Sequence, residues 1–138
     1  MDIVIAILMV LGGAVLVQLI GALWYGPLFG KLWMRAWGKT EADLKMTGRE
    51  SRFVYGGSFI AAVLMCSMLY LAASSSVVSS TSSFAFAISV AIMVAWIAGI
   101  SSIPSYLFER RPLLMWGVFY TYVSFAYGLI AFVYASFA

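Results

Sequence analysis

The residues of this sequence best placed to do chemistry inside its apolar runs are neutral: Gln18, Ser58, Ser101 and Thr121, with Tyr25 and Ser105 beside them. Counted from the end of each run nearest the charged loops, Gln18 lies seven residues in from Tyr25 and Ser58 five in from Phe53. Ser101 lies six in from Leu107 and Thr121 eight in from Leu113. At helical rise these four fall within roughly 5 Å of one level, about 10 Å below the boundary. Their helical neighbours are small or polar: Ala14, Gly21 and Tyr25 around Gln18, Ala62 and Met65 near Ser58, Ala98 and Ser105 near Ser101, and Gly117, Ser124 and Gly128 near Thr121. Such a layer can do one of two things. It can bind helix to helix, each hydrogen bond contributing about 0.6 kcal/mol, or it can line a polar pocket open to one side. Pro104 favours the pocket, because it cannot donate to the Ile100 carbonyl and leaves an acceptor among the serines of SSIPSY and Tyr106.

Stronger chemistry is not on offer. The chain has no histidine and one cysteine, Cys66, inside an apolar run. Imidazole ligation of metal or haem and histidine acid–base catalysis are therefore excluded within the chain. No acidic or basic residue falls within the apolar runs, which argues against proton-coupled export. Tyr25, Tyr106 and Glu109 could move a proton, but no nucleophile, metal site or cofactor motif accompanies them. The expectation is a non-enzymatic protein with no metal and no cofactor.

A second set of residues sits at the surface. Phe29, Trp33 and Trp37 recur every four residues, while Lys31 and Arg35 take another face. That pattern describes a short helix lying in the membrane interface, aromatics at headgroup depth and cations toward lipid phosphate. With Glu109, Arg110 and Arg111, the residues Trp33, Arg35 and Trp37 form a candidate lid or lipid-phosphate contact. Glu109 is expected to pair with Arg35 or Arg52 and latch the first loop across the molecule.

The elements that must position these groups follow from composition. Of 138 residues, 64% are hydrophobic and only 9% charged, against roughly 25% charged in a soluble domain. Lipid is the solvent such a chain needs. Four uncharged runs, 3–25, 53–73, 84–107 and 113–137, are each long enough to cross a bilayer, which takes about 20 residues as helix. Asp2 precedes the first run and the first positive charge, Lys31, follows it, so the run reads as a retained helix and not as a signal peptide. The fold class expected is all-α, a single integral membrane domain of four transmembrane helices. A short amphipathic helix lies between helices one and two.

Within the loop 26–52, Gly26-Pro27 should turn the chain and Gly38 should stop the amphipathic helix. Thr40-Glu41-Ala42-Asp43 fits an N-cap, predicting a second short helix closed by Gly48. The loop holds Lys31, Arg35, Lys39, Lys45, Arg49 and Arg52 against Glu41, Asp43 and Glu50, and the turn 108–112 adds Arg110 and Arg111 with Glu109. Every lysine and arginine thus falls in two loops that alternation puts on one side. By the positive-inside rule that side is cytoplasmic, both termini and the serine-rich connector 74–83 lying outside. Ala87, Ala91, Ala95 and Gly99 make a small-residue seam that would pack helices within the chain or between copies.

The exit sequence Leu23-Trp24-Tyr25-Gly26-Pro27-Leu28-Phe29-Gly30-Lys31-Leu32-Trp33, with Leu107-Phe108-Glu109-Arg110-Arg111-Pro112 far downstream, resembles a bacterial four-helix membrane family, domain of unknown function 1761. The likeness covers nearly the whole chain. Gly26 stands where that family often has serine, and the last helix lacks a histidine that the pattern would carry. The resemblance implies four helices, gives weight to the two charged turns and implies no activity. The expected object is an integral protein of a bacterial cytoplasmic membrane, in contact with membrane lipid and homo-oligomeric, with a membrane-protein partner as a further prospect and no nucleic acid. The alternative is a small transporter or channel for a neutral or anionic solute.

Overall fold

The computed structural model describes residues 2–75 and 82–137. Most of the serine-rich connector expected over 74–83 lies outside the described residues. The described chain is helical: α1 (Ile3–Leu23), a short α2 (Gly30–Trp37), α3 (Gly48–Ala73), α4 (Ser83–Val94), α5 (Ser101–Phe108) and α6 (Leu113–Phe137). α1 runs on through a wide π-type turn, Trp24–Leu28, and α4 reaches α5 through another, Ala95–Ile100. Four spans result, Ile3–Leu28, Gly48–Ala73, Ser83–Phe108 and Leu113–Phe137, each long and apolar enough to cross a membrane. A span of 26 residues rises about 39 Å, more than the hydrocarbon core requires. The protein is an all-α, four-helix membrane bundle.

Local chemistry sets the ends. Asp2 accepts from the Val4 amide at 3.0 Å, Thr47 from Glu50 at 3.2 Å and Ser82 from Ala85 at 3.1 Å, so α1, α3 and α4 each begin on a side-chain cap. α2 ends at Gly38 with φ 70°, the Lys39 amide reaching the Met34 carbonyl at 3.0 Å and the Gly38 amide the Arg35 carbonyl at 3.3 Å. These two bonds form a Schellman motif, which needs a left-handed residue and so favours glycine. The same motif ends α5, where Arg111 donates to the Tyr106 carbonyl at 2.9 Å and Arg110 to the Leu107 carbonyl at 3.2 Å. Here the left-handed residue is Arg110, with φ 53°.

One expected helix does not form. Thr40 and Asp43 make their reciprocal bonds, Thr40 amide to Asp43 Oδ2 at 2.9 Å and Asp43 amide to Thr40 Oγ1 at 3.4 Å. The backbone behind them closes only three-residue turns, Asp43 to Thr40, Leu44 to Glu41 and Lys45 to Ala42. The chain then extends into the Thr47 cap, so Gly48 opens α3 where it was expected to close a helix. A cap satisfies the first orphan amides of a helix, but a single turn is not self-sustaining without residues to propagate it.

Both wide turns lie near a proline. Pro27 sits within the first, where Gly26 also leaves helical geometry (φ −105°, ψ −106°). Pro104 follows the second by one turn, its ring excluding a normal bond to the Ile100 carbonyl. The third span is therefore not the single regular helix expected over 84–107.

α6 sits at the centre, packed against α1, α3 and α4, while α1 and α3 form an antiparallel pair of their own. Far from the charged loops the core is tight. Ala14, Cys66 and Ala131 are fully buried around Tyr134, whose hydroxyl donates to the Met9 carbonyl at 2.8 Å. Gly13 lets this happen, because a β-carbon there would collide with the Tyr134 hydroxyl. The seam of Ala87, Ala91, Ala95 and Gly99 is taken up within the chain. A β-carbon on Gly128 of α6 would sit 3.1 Å from that of Ala91, and Gly99 lies beneath the Tyr120 ring.

At the charged end the bundle opens. No residue of α3 from Gly48 to Ala61 is buried, and burial begins at Ala62. α5 likewise buries nothing. Helices joined tightly at one end and splayed at the other leave a wedge of space among α1, α3 and α6.

Candidate functional site

The wedge is a vestibule of about 480 Å³ lined by Gln18, Gly21, Ala22, Tyr25 and Gly26 of the first span, Val54, Tyr55 and Ser58 of α3, and Tyr122 of α6. At its floor Gln18 Nε2 donates to Ser58 Oγ at 2.9 Å, a bond between helices where they begin to diverge. The Tyr122 hydroxyl donates to the Val17 carbonyl at 3.3 Å and holds the back wall. Gly21 makes room for it, since a β-carbon there would lie 3.1 Å from that hydroxyl. Tyr25 meets Tyr122 edge-on, ring centroids 5.7 Å apart, and forms the rim with Tyr55. No charged residue lines the space.

α2 is tied to this rim through rings. Trp33 packs edge-on against Tyr25 at 5.7 Å and at a tilt against Trp37 at 5.1 Å. An aromatic chain thus runs from Trp37 through Trp33 and Tyr25 to Tyr122. The first span is itself pinned to α6 by Trp24, whose indole donates to the Val118 carbonyl at 3.1 Å and stacks on Phe125 at 5.5 Å. Trp116 does the same between α6 and the second wide turn, donating to the Gly99 carbonyl at 2.7 Å. Gly99, one residue before Ile100, takes a second side-chain donor, with Ser102 Oγ bonded to it at 2.7 Å.

Of the six residues expected to share a polar pocket, the structure brings together Gln18, Tyr25 and Ser58. Ser101, Ser105 and Thr121 are exposed on other faces. Thr121 bonds its own helix at Gly117 (2.9 Å) or Val118 (3.1 Å), and Ser101 bonds the Ile97 carbonyl. A hydroxyl on an apolar face commonly satisfies itself on the preceding turn and asks nothing of its neighbours. Depth along a helix follows from counting residues, but the face a residue presents depends on how the helices pack.

The surface group is also rearranged. Glu109 pairs with Arg111 inside its own turn, not with Arg35 or Arg52, so it does not latch the first loop. The Arg111 guanidinium lies 4.6 Å over the Tyr106 ring. Arg35 and Arg110 are exposed, Trp33 is half-buried against Tyr25, and Trp37 is exposed with the Lys39 ammonium 5.6 Å from its ring. The Thr40 amide, then its hydroxyl, hold Asp43 below the ordinary aspartate range.

The sequence reading named Trp24 only as part of the exit motif and did not single out Tyr55, Tyr122 or Trp116, which do much of the positioning. The available signal was a tryptophan or tyrosine within about three turns of a span's charged end, where amphipathic rings concentrate.

A second furrow of about 400 Å³ lies toward the other end of the α1–α3 pair, lined by Ala6, Ile7, Val10, Leu11, Val63 and Leu71 with Ser67 and Tyr70. It is a lipid-facing surface of ordinary apolar character. Among the described residues no group of three acidic, histidine or cysteine side chains could hold a metal ion.

Four apolar spans, an interfacial helix and a neutral vestibule at the charged end define a small polytopic membrane protein. The sequence profile of the family described as "Protein of unknown function (DUF1761)" matches residues 8–137, so the chain belongs to that family. No curated protein and no solved structure matches it.

Proposed function

We propose that this protein is a non-catalytic membrane component that takes up a neutral amphiphile from the surrounding lipid into the vestibule between α1 and α3. The observation that carries this reading is the splay of α3, unburied from Gly48 to Ala61, which leaves the Gln18–Ser58 floor reachable sideways from the bilayer. An uncharged lining suits a ligand without net charge, because a charge taken from water into such a space would lack a partner. Its aromatic rim and basic surround fit the depth of lipid headgroups. The protein would work in a bacterial cytoplasmic membrane, the charged loops inside and both termini outside, the arrangement favoured by the clustering of all eight lysines and arginines.

A conduction path through one chain is the weaker reading. Beyond the Gln18–Ser58 bridge the bundle closes on Ala14, Ala62, Cys66 and Tyr134, so a solute path would have to run between copies. An oligomer would also need a face other than the alanine seam, which α6 already covers. The unpacked start of α3 is the face most open to a second copy or another membrane protein.

Lateral uptake is tested by placing a photo-cross-linking benzophenone amino acid at Tyr55 and, as a control, at the exposed Phe84, then irradiating cells and identifying adducts by mass spectrometry. The expected result is a restricted set of neutral lipids at position 55 and a mixture reflecting the whole membrane at position 84. Identical mixtures at both positions would overturn the proposal.

A further inference from the structure

We infer that the outer face of α2 docks the headgroup of an anionic phospholipid, with Lys31 and Arg35 holding its phosphate. Packing fixes how α2 is turned about its axis. Gly30 is buried, the Tyr25 carbonyl so near that a β-carbon would lie 2.5 Å from it, and Trp33 is half-buried on the Tyr25 ring. With that side inward, Lys31, Leu32 and Arg35 fall on the opposite side, and all three are exposed. Leu28, just ahead of the helix, is exposed as well. Cations beside free apolar side chains suit a helix at the boundary between headgroups and acyl chains.

The charge on this face is unbalanced. Lys31 and Arg35 stand four residues apart, neighbouring positions on a helix surface, where like charges repel. α2 has no acidic residue, and among the described residues the one ion pair joins Glu109 to Arg111. Other cations are engaged within the chain: Lys39 lies near the Trp37 ring, Arg111 meets Glu109 and the Tyr106 ring, and Arg52 donates to the Gly48 carbonyl. One phosphate at headgroup depth would relieve the repulsion between the two α2 cations, and the planar fork of Arg35 suits its oxygens. A zwitterionic headgroup would bring a third positive charge to the same face. Neither cation lines the vestibule, so this surface does not depend on what that space holds.

The test is native mass spectrometry of the full chain in a non-ionic detergent holding equal amounts of phosphatidylglycerol and phosphatidylcholine with the same acyl chains. Preferential retention of phosphatidylglycerol is expected. Lys31→Gln and Arg35→Gln should each reduce the preference about fivefold. Lys45→Gln combined with Arg49→Gln removes two charges at and just before the start of α3 and should leave it unchanged. Equal retention of the two lipids, or a preference that survives in the double α2 variant, would overturn the proposal. An equal loss in the Lys45 and Arg49 variant would also overturn it, because net charge alone would then explain the attraction. Displacement of the lipid by inorganic phosphate at matched ionic strength would replace it with a site for a soluble anion. Tryptophan emission and helical circular dichroism of each variant separate loss of binding from loss of fold.

Discussion

At the scale of single residues, backbone geometry and small side chains decide more than polarity does. Gly12 and Gly13 are neighbours on α1, yet a β-carbon at Gly12 meets nothing within 4 Å and one at Gly13 meets Tyr134 and Cys66. Gly13→Ala should therefore destabilise the bundle by about 1–3 kcal/mol through overpacking. Gly12→Ala should be neutral or stabilising by up to about 1 kcal/mol from helix propensity. Reversible denaturation in mixed micelles reads both, and equal effects would contradict the packing described. Arg110 holds a left-handed conformation that costs an ordinary residue about 1 kcal/mol, so Arg110→Gly should raise the unfolding midpoint in the same assay. Asp43 provides the pH-dependent case. Its folded pKa is depressed by the Thr40 amide and hydroxyl, so its contribution to the turn is complete above the ordinary aspartate pKa of about 3.9 and is lost as pH falls through the lower folded value. A carboxyl carbon titration should show the Asp43 midpoint below that of a peptide containing the same residues, and Thr40→Ala, which removes the hydroxyl but keeps the amide, should move it only part of the way back up.

Helices one and three share a device. The first and third spans each contain a wide turn near a proline, and each is fastened to α6 by an indole N–H donating to a backbone carbonyl: Trp24 to Val118 and Trp116 to Gly99. A wide turn disturbs the regular ladder, and an indole N–H is a donor with no acceptor role, suited to a carbonyl exposed there. Trp24→Phe keeps the ring and removes the donor. It should cost about 0.6 kcal/mol, the typical value of an interhelical hydrogen bond in a membrane, while Trp24→Ala should cost several times more by losing the stack on Phe125. Comparing the two single variants by the same denaturation measures the difference. α2 depends on a close contact as well: a β-carbon on Gly30 would lie 2.5 Å from the Tyr25 carbonyl. Gly30→Ala should loosen the turn that holds Trp33 against Tyr25, seen as a red shift of tryptophan emission. These features were partly legible in the sequence. Gly26-Pro27, Gly38 and the Phe29–Trp33–Trp37 spacing announced the turn and the interfacial helix. The Thr40–Asp43 pattern announced a helix that does not form, because a capping pair is local and propagation is not.

For the whole molecule the question is which faces meet, and there the bundle is asymmetric: closed around Tyr134 at one end and splayed around Tyr25 at the other. A cysteine placed at Gly56, on the open face of α3 with nothing within 4 Å, should react with a small membrane-permeant maleimide while the buried Cys66 stays protected. Labelling of Cys66 at a comparable rate would mean that the tight end is not closed. By itself the sequence determined the solvent, the four spans, the interfacial helix and the gathering of every lysine and arginine into two loops, because these follow from composition and from distance along the chain. Only the tertiary structure decided that Gln18, Tyr25 and Ser58 share a vestibule while Ser101, Ser105 and Thr121 face elsewhere, and that Glu109 turns to Arg111. The physical reason is rotation about the helix axis. Depth is counted along one chain, whereas azimuth is set by which small residues let neighbouring helices approach, and a hydroxyl that can bond its own preceding turn leaves no mark in sequence of the side it will face.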